Sequence, residues 1–275
     1  MIVGRNHYVE TPMRSLPLDL LRPIVENLAN DSRSLLTVSL ASPQLRVEAQ
    51  RILFRAVAPV RQVHHIRFLT TVTSSNLLAS LVDEYRRFNL LGMERQEDPL
   101  WGLTCRGLQA MINLKILRFR PCIDQPSAEI LYGCTFQLEV FEWTGLDDEE
   151  LILEFLQTQP QLHSLSVFWK RPDLDTSGIC PRLQVLHGDR STINAFLPGR
   201  RLTSLQWTPT EKGLLNDSID HLSEEFQHIR FLSFGGYLGR PRLDLLIRHL
   251  RAVEVLEFIG LESLTVPVGL KKISP

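Results

Sequence analysis

The sequence predicts an α/β chain: a short segment of three helices over residues 16–57, then a solenoid over residues 58–275 whose parallel strands line one curved sheet with helices outside. Residues 1–15 read as a flexible tail. Three observations carry this reading. A strand-like pattern, apolar-x-x-apolar-x-apolar, returns at intervals of 19 to 27 residues. The slot between its last two apolar positions is always polar, as one-sided strands require, because successive side chains point to opposite faces. Helix-like stretches, with apolar residues every three or four positions, separate the strands.

The helical segment comes first. Leu16, Leu20, Leu21, Ile24, Val25 and Leu28 form one apolar stripe. Asn30 or Asp31 then offers a side-chain oxygen to cap a second helix. Ser42-Pro43 opens a third, since proline fits the first helical position, where no donor is needed; that helix runs through Leu45, Ala49, Ile52 and Leu53. Pro23 removes a backbone donor inside the first helix and is expected to kink or break it. Half of residues 16–57 are apolar, more than so small a unit can enclose, so an apolar face is left for the rest of the chain or for a partner.

The repeat follows. Its triplets are Leu114-Leu117-Phe119, Leu138-Phe141-Trp143, Leu162-Leu165-Val167, Leu183-Leu186-Gly188, Leu202-Leu205-Trp207, Ile229-Leu232-Phe234 and Val253-Leu256-Phe258. Only Gly188 breaks the apolar rule, in a chain that is 44% apolar, so chance is a poor explanation. The outward slots hold Arg118, Glu142, Ser166, His187, Gln206, Ser233 and Glu257. An earlier unit is expected to start at Tyr85-Phe88-Leu90, giving seven or eight repeats. Helices are expected at Leu100 to Met111, Ala128 to Leu131, Leu151 to Leu156, Leu214 to Phe226 and Leu243 to Leu250. The acids Asp147 to Glu150 complement the positive end of the helix that follows them. Ser191 to Leu197 is too short for more than one turn.

A strand and a helix in every such interval resemble the leucine-rich repeats, in their irregular, cysteine-type form; the resemblance covers about Ala58 to Pro275. The asparagine that usually follows the apolar triplet is missing from most units. Leu16-Pro17-Leu18-Asp19-Leu20-Leu21, followed by Ile24, Leu28, Leu35-Leu36, Ser39-Leu40-Ala41-Ser42 and Leu45, resembles an F-box, although Asp19 replaces the usual glutamate and Leu45 a common aromatic. Ala49-Gln50-Arg51-Ile52-Leu53-Phe54-Arg55 resembles the exit of F-boxes in fungal F-box and leucine-rich-repeat proteins. The resemblance implies the substrate-recognition subunit of a Skp-cullin-F-box ubiquitin ligase. Such a subunit docks on a Skp-type adaptor, and through it on a cullin and a RING subunit, while its repeats hold a protein substrate. Leu16, Pro17, Leu20, Leu21, Ile24, Leu28, Leu36 and Leu40 are the docking residues it implies. A second reading stays open, in which the chain is a repeat scaffold and the helical segment only caps the solenoid.

The repeat frame also places the substrate surface. Ile116, Val140, Phe231, Val255 and Ile259, with Phe168 near the middle, supply apolar contact on the concave face; Arg118, Arg120 and Glu142 supply orientation, and His187 stands in the polar row. Exposed aliphatic and aromatic groups on such a face point to a protein partner.

Composition narrows the other classes. Thirty basic and 31 acidic residues leave a net charge of -1, with no field to gather nucleic acid or an anionic membrane. No run of about 18 apolar residues and no signal-like start occurs, so the protein is expected in the cytoplasm or nucleus. Cys105, Cys122, Cys134 and Cys180 have neither metal-knuckle nor disulfide-framework spacing and read as reduced, mostly buried residues. The motifs H-E-x-x-H, G-x-S-x-G and the phosphate-binding glycine loop are absent; adjacent His64 and His65 diverge on any regular element; and Gly235 to Gly239 reads as a turn. No enzyme activity, cofactor or metal is therefore expected.

Overall fold

The computed structural model describes residues 17–87, 99–120, 127–145, 148–171, 174–208, 220–235, 246 and 248–259. The chain divides into two compact units, Met1–Arg55 and Ala56–Pro275.

In the first unit α1 (Leu18–Glu26), α2 (Ser32–Ala41) and α3 (Pro43–Arg55) form a bundle in which α3 packs on both other helices. The caps explain the breaks. The Asp31 carboxylate accepts the amides of Arg33 and Ser34 at 3.1 and 3.2 Å, and the Ser42 hydroxyl accepts that of Leu45 at 3.2 Å. Pro23 does not end α1, contrary to expectation: the helix runs on to Glu26, and the Asn27 amide still reaches the Pro23 carbonyl at 3.3 Å. Val25, Leu35 and Ala49 form the core, with Leu28, Val38, Leu45, Ile52 and Leu53 packed around them. Arg51 joins α3 to α1 through Glu26 at 2.6 Å, while Glu48 holds both Arg51 and Arg22.

The second unit is solenoid-like. Among its described residues nine strands pair in parallel and strictly in chain order: β1 (Ala56–Val57), β2 (Glu84–Arg87), β3 (Ile116–Phe119), β4 (Val140–Trp143), β5 (Ser164–Val167), β6 (Val185–Gly188), β7 (Ser204–Trp207), β8 (Phe231–Gly235) and β9 (Val255–Ile259). Register carries Leu117 onto Phe141, Leu165, Leu186, Leu205, Leu232 and Leu256, so the apolar slots stack as one column. All but Leu256 are buried. Leu256 lies on the last strand of the sheet, which pairs on one side only among the described residues, and it is 41% exposed. Aromatic pairs such as Phe119–Trp143, with centroids 5.3 Å apart, fill the space beneath the sheet.

Helices cover that apolar face. Among the described residues they are α4 (Gln62–Ser74), α5 (Asn76–Ala79), α6 (Pro99–Ala110), α7 (Glu149–Gln157), α8 (Arg190–Phe196) and α9 (Ser223–Phe226), with 3₁₀ turns at Ala128–Leu131 and Asp220–Leu222. Phe155 of α7 packs on Phe141 of β4, and Phe226 of α9 on Trp207 of β7. The pattern had not announced α4. Half of the helix expected at Leu243 to Leu250, and the start of that at Leu214 to Phe226, lie outside the described residues, and Arg248 and His249 form a turn where that helix is expected to continue.

Three details correct the sequence reading and a fourth adds to it. The earlier repeat starts at Val82, because Tyr85 pairs opposite Leu117 and Arg87 opposite Phe119; Phe88 and Leu90 lie outside the described residues. Ala56–Val57, expected in the helical segment, already form a strand on β2. Ser191 to Leu197 holds about two turns rather than one: α8 has seven residues, and Asp189 caps it by accepting the Thr192 amide at 3.0 Å. The acids at the start of α7 stand at its N-terminus as expected, Glu149 and Glu150 in the first turn, and two of them also act between repeats. Asp148 accepts the amides of Ser127 and Ala128, at 2.6 and 3.1 Å, and the Trp143 indole N–H at 3.3 Å; Glu149 accepts the Lys170 amide at 3.0 Å.

Other side chains tie successive repeats in the same way. Gln159 accepts the Leu138 amide at 2.8 Å and donates to the Phe136 carbonyl at 3.3 Å, and Asn113 donates to the Ser80 carbonyl at 2.8 Å. Gly188 also has its reason. A Cβ there would lie 2.5 Å from the Thr192 side chain and 2.6 Å from the Val167 carbonyl, so Thr192 occupies the space an apolar side chain would take.

Candidate functional site

Two surfaces hold the candidate residues. On the helical unit, Leu20 and Ile24 stand four positions apart on α1 and are 49% and 47% exposed; Leu36 and Leu40 stand four apart on α2 and are 56% and 79% exposed. Each pair shares one helix face. Pro17, just ahead of α1, is exposed, and Leu16 lies outside the described residues. Of the rest of the expected set, Leu21 is buried and corrects the expectation of a surface residue, while Leu28 is half-buried and packs on the Val25–Leu35–Ala49 core. Val47 of α3 is 61% exposed and was missed, although it is an apolar residue off the Leu45-Ala49-Ile52 stripe.

On the second unit the site is the sheet face away from the helices. Register lays Arg86, Arg118, Glu142, Ser166, His187, Gln206, Ser233 and Glu257 in one row across β2 to β9. Ile116, Val140, Ser164, Val185, Ser204, Phe231 and Val255 form the flanking row. Ile116, Val140, Phe231 and Ile259 are half-buried and Val255 is exposed. The row is not open throughout, because Ser233 is buried.

Two clusters on this face have defined geometry. Glu142 holds two arginines: Arg120 donates to Oε1 at 3.0 and 3.3 Å, and Arg118 approaches Oε2 at 3.5 Å. Two strands along, His187 lies between the hydroxyls of Ser166, 2.8 Å from Nδ1, and Thr208, 3.2 Å from Nε2. Burial lowers the His187 pKa, with Glu142 opposing and Arg120 adding to the shift, so the ring is neutral at neutral pH. A neutral ring donates from one nitrogen and accepts at the other, and the two hydroxyls suit either tautomer. Phe168 stands edge-on to it, centroids 5.6 Å apart at 75°.

The Ser166–His187 contact has the elements of a nucleophile and base, but its second nitrogen meets a hydroxyl where a carboxylate would orient the ring. The same ring packs against Phe168. Sequence patterning places His187 in the polar row; the partners on either side come from register alone.

Of the adjacent histidines, His64 is exposed and His65 is buried against the Tyr85 hydroxyl. Cys105, Cys134 and Cys180 are free thiols, and burial pushes Cys134 up to about 12 and Cys180 to about 11. Cys122 lies outside the described residues. Among the described residues no group of three or more His, Cys, Asp or Glu could hold a metal ion, and no helix is long and apolar enough to cross a membrane. The chain matches no protein-family model and no curated protein.

Proposed function

We propose that this chain is an F-box protein with irregular leucine-rich repeats: the substrate-recognition subunit of a Skp-cullin-F-box ubiquitin ligase, working in the cytoplasm or nucleus. The observation that carries the reading is the pair of exposed apolar steps on the bundle, Leu20 with Ile24 and Leu36 with Leu40, on helices whose neighbouring faces already have a core. Apolar residues in excess of what the bundle encloses call for a partner, and the motif around them resembles the one that binds a Skp-type adaptor. The parallel sheet, with its mixed polar and apolar open face, suits capture of a protein substrate. The chain performs no chemistry of its own. It supplies proximity to another subunit's active site, and needs neither cofactor nor metal.

Coexpression with a Skp-type adaptor followed by pull-down of the complex tests the docking half. Leu20→Asp with Ile24→Asp is expected to abolish the complex while the sheet unit stays folded, because each change removes roughly 1.5–3 kcal/mol of apolar burial and adds a charge that must stay hydrated. Undiminished binding would refute the F-box assignment. Failure of the parent chain to bind favours the repeat scaffold, with the helices as its cap. The capture half is tested by Phe168→Ala with Phe231→Ala; unchanged substrate capture moves recognition from the sheet face to the loops.

A further inference from the structure

We infer that the helix side of the sheet unit carries a ligand pocket, between the 3₁₀ turn at Ala128–Leu131 and α7, that takes a small organic amine with its ammonium group at Glu154 and its apolar body over Leu131 and Phe155. The inference goes beyond substrate capture on the open face and does not depend on it.

The uneven repeats make the space. Where α6 has twelve residues and α7 nine, the repeat between them holds, among its described residues, one 3₁₀ turn of four. That turn packs on both helices but is too short to cover the flank of α7 along its length. Leu151, Glu154, Phe155 and Thr158 follow one another on that flank at the three- and four-residue spacing of a single helix face. What is left is a cavity of about 590 Å³, within the roughly 300–1,000 Å³ of small-molecule sites. Its bounded size favours a small molecule over a stretch of another protein chain.

The lining decides the chemistry. The floor is apolar and already fixed: Leu131 and Phe155 are buried, and Phe155 is held edge-on by Phe136, centroids 6.0 Å apart, and by Phe141 at 5.4 Å. The rim adds Leu151 and Tyr132, both exposed. Charge sets the sign. Two carboxylates line the pocket, Glu129 and Glu154, and none of the lining residues is basic. Glu129 has another interaction, so the contact is assigned to Glu154, which makes no ion pair among the described residues. Thr158, the C-cap of α7, also lines the pocket and brings the negative end of that helix to it. An apolar floor with negative charge at its edge selects an amphipathic cation over an anion or a neutral molecule.

The test is isothermal titration of the intact chain at low salt with phenethylamine, its neutral analogue 2-phenylethanol and its acid analogue 3-phenylpropionate, with saturation-transfer NMR to detect the weakest binder. The amine is expected to bind about fivefold tighter than the alcohol, the modest gain of an exposed ion pair, and the acid more weakly than either. Raising the salt to physiological strength should narrow that gap. Glu154→Gln should bring amine and alcohol to the same affinity, and Leu151→Lys, which tethers an ammonium group at the rim, should weaken the amine at least as much. Both positions are exposed, so neither change threatens the fold, and circular dichroism checks it. Equal affinity for amine and alcohol in the parent chain, an amine affinity indifferent to Glu154→Gln, or no binding of any of the three compounds overturns the inference. Binding of a glycine-serine peptide carrying one Lys, with none of the free amine, overturns the small-molecule assignment.

Discussion

Leucine does opposite work in the two units. In the sheet unit Leu117 on β3 and Leu165, Leu186, Leu205 and Leu232 on β5 to β8 are buried in one column, each covered by its neighbours there. In the helical unit Leu21 and Leu35 are buried, while Leu20, Leu36 and Leu40, one to five positions away, stand in solvent. A strand of period two has one apolar face, and stacking repeats closes it. Three short helices enclose only a small core, so a stripe wider than that core must leave residues outside. An apolar residue that repeats along the sheet therefore signals stability, and one that exceeds the bundle's core is left for the rest of the chain or for a partner to cover.

Truncation breaks or sharpens that contrast most strongly. Leu165→Ala is expected to cost about 2–5 kcal/mol, since it leaves a cavity at a fully buried position of the column, and to melt neighbouring repeats with it. Leu36→Ala and Leu40→Ala should each stay within about 0.5 kcal/mol. Urea unfolding of the three variants decides; equal costs would mean that the helical leucines are core after all. Asp148→Ala comes next, at about 2–3 kcal/mol, because it strips buried amides and the Trp143 indole of their acceptor. A loss under about 0.5 kcal/mol would return Asp148 to the role of a simple helix-dipole partner.

How much was legible follows from the same contrast. The strand frame from Leu114 onward could be read because slot and counter-slot check each other at every repeat. It failed at β2, where Arg87 occupies an inward slot: a buried guanidinium that donates to the Pro59 carbonyl at 2.7 Å looks in sequence like a surface residue. β1, two residues long, gives no periodicity to read. Asp148 was read locally because its partners lie about one repeat away in sequence, a distance no helix rule spans. In the candidate site, the rows across the open face could be placed in advance, but the Ser166–His187–Thr208 bridge needed register. Leu20 and Leu21 are adjacent members of one stripe, and only the position of α3 decides which of them faces the core.

The buried end of β2 gives a pH test. Burial, reinforced by nearby Arg87, holds His65 down to about 3, far below the ordinary value near 6.5. The unfolded chain therefore binds a proton that the folded chain refuses between these values. Stability from this group is intact above pH about 6.5 and falls as the pH drops towards 3, by about 2 kcal/mol between neutrality and pH 5. His65→Gln keeps a polar partner for the Tyr85 hydroxyl and cannot be protonated in that range. It should flatten this part of the pH profile in thermal melts, and an unchanged slope would place the acid sensitivity elsewhere.

The smallest effect tests the open face itself. Ser166 occupies an outward slot beside Leu165, and a surface position of that kind ordinarily changes stability by less than about 0.5 kcal/mol. Here its hydroxyl lies 2.8 Å from His187 Nδ1, so Ser166→Ala removes one hydrogen bond from a half-buried ring. The expected cost is about 1 kcal/mol, well below that of Leu165→Ala. Thr208 still holds the other nitrogen, so the ring stays in place but gains freedom, and Phe168 with it. Two readouts separate the cases. Urea unfolding gives the cost, and the His187 ring protons in NMR titration report whether its pKa moves back towards 6.5 as the ring becomes wetter. A cost matching that of Leu165→Ala would shift the strand frame by one residue. A small cost with no movement of the His187 titration would show that Ser166 does not hold the ring that supports Phe168.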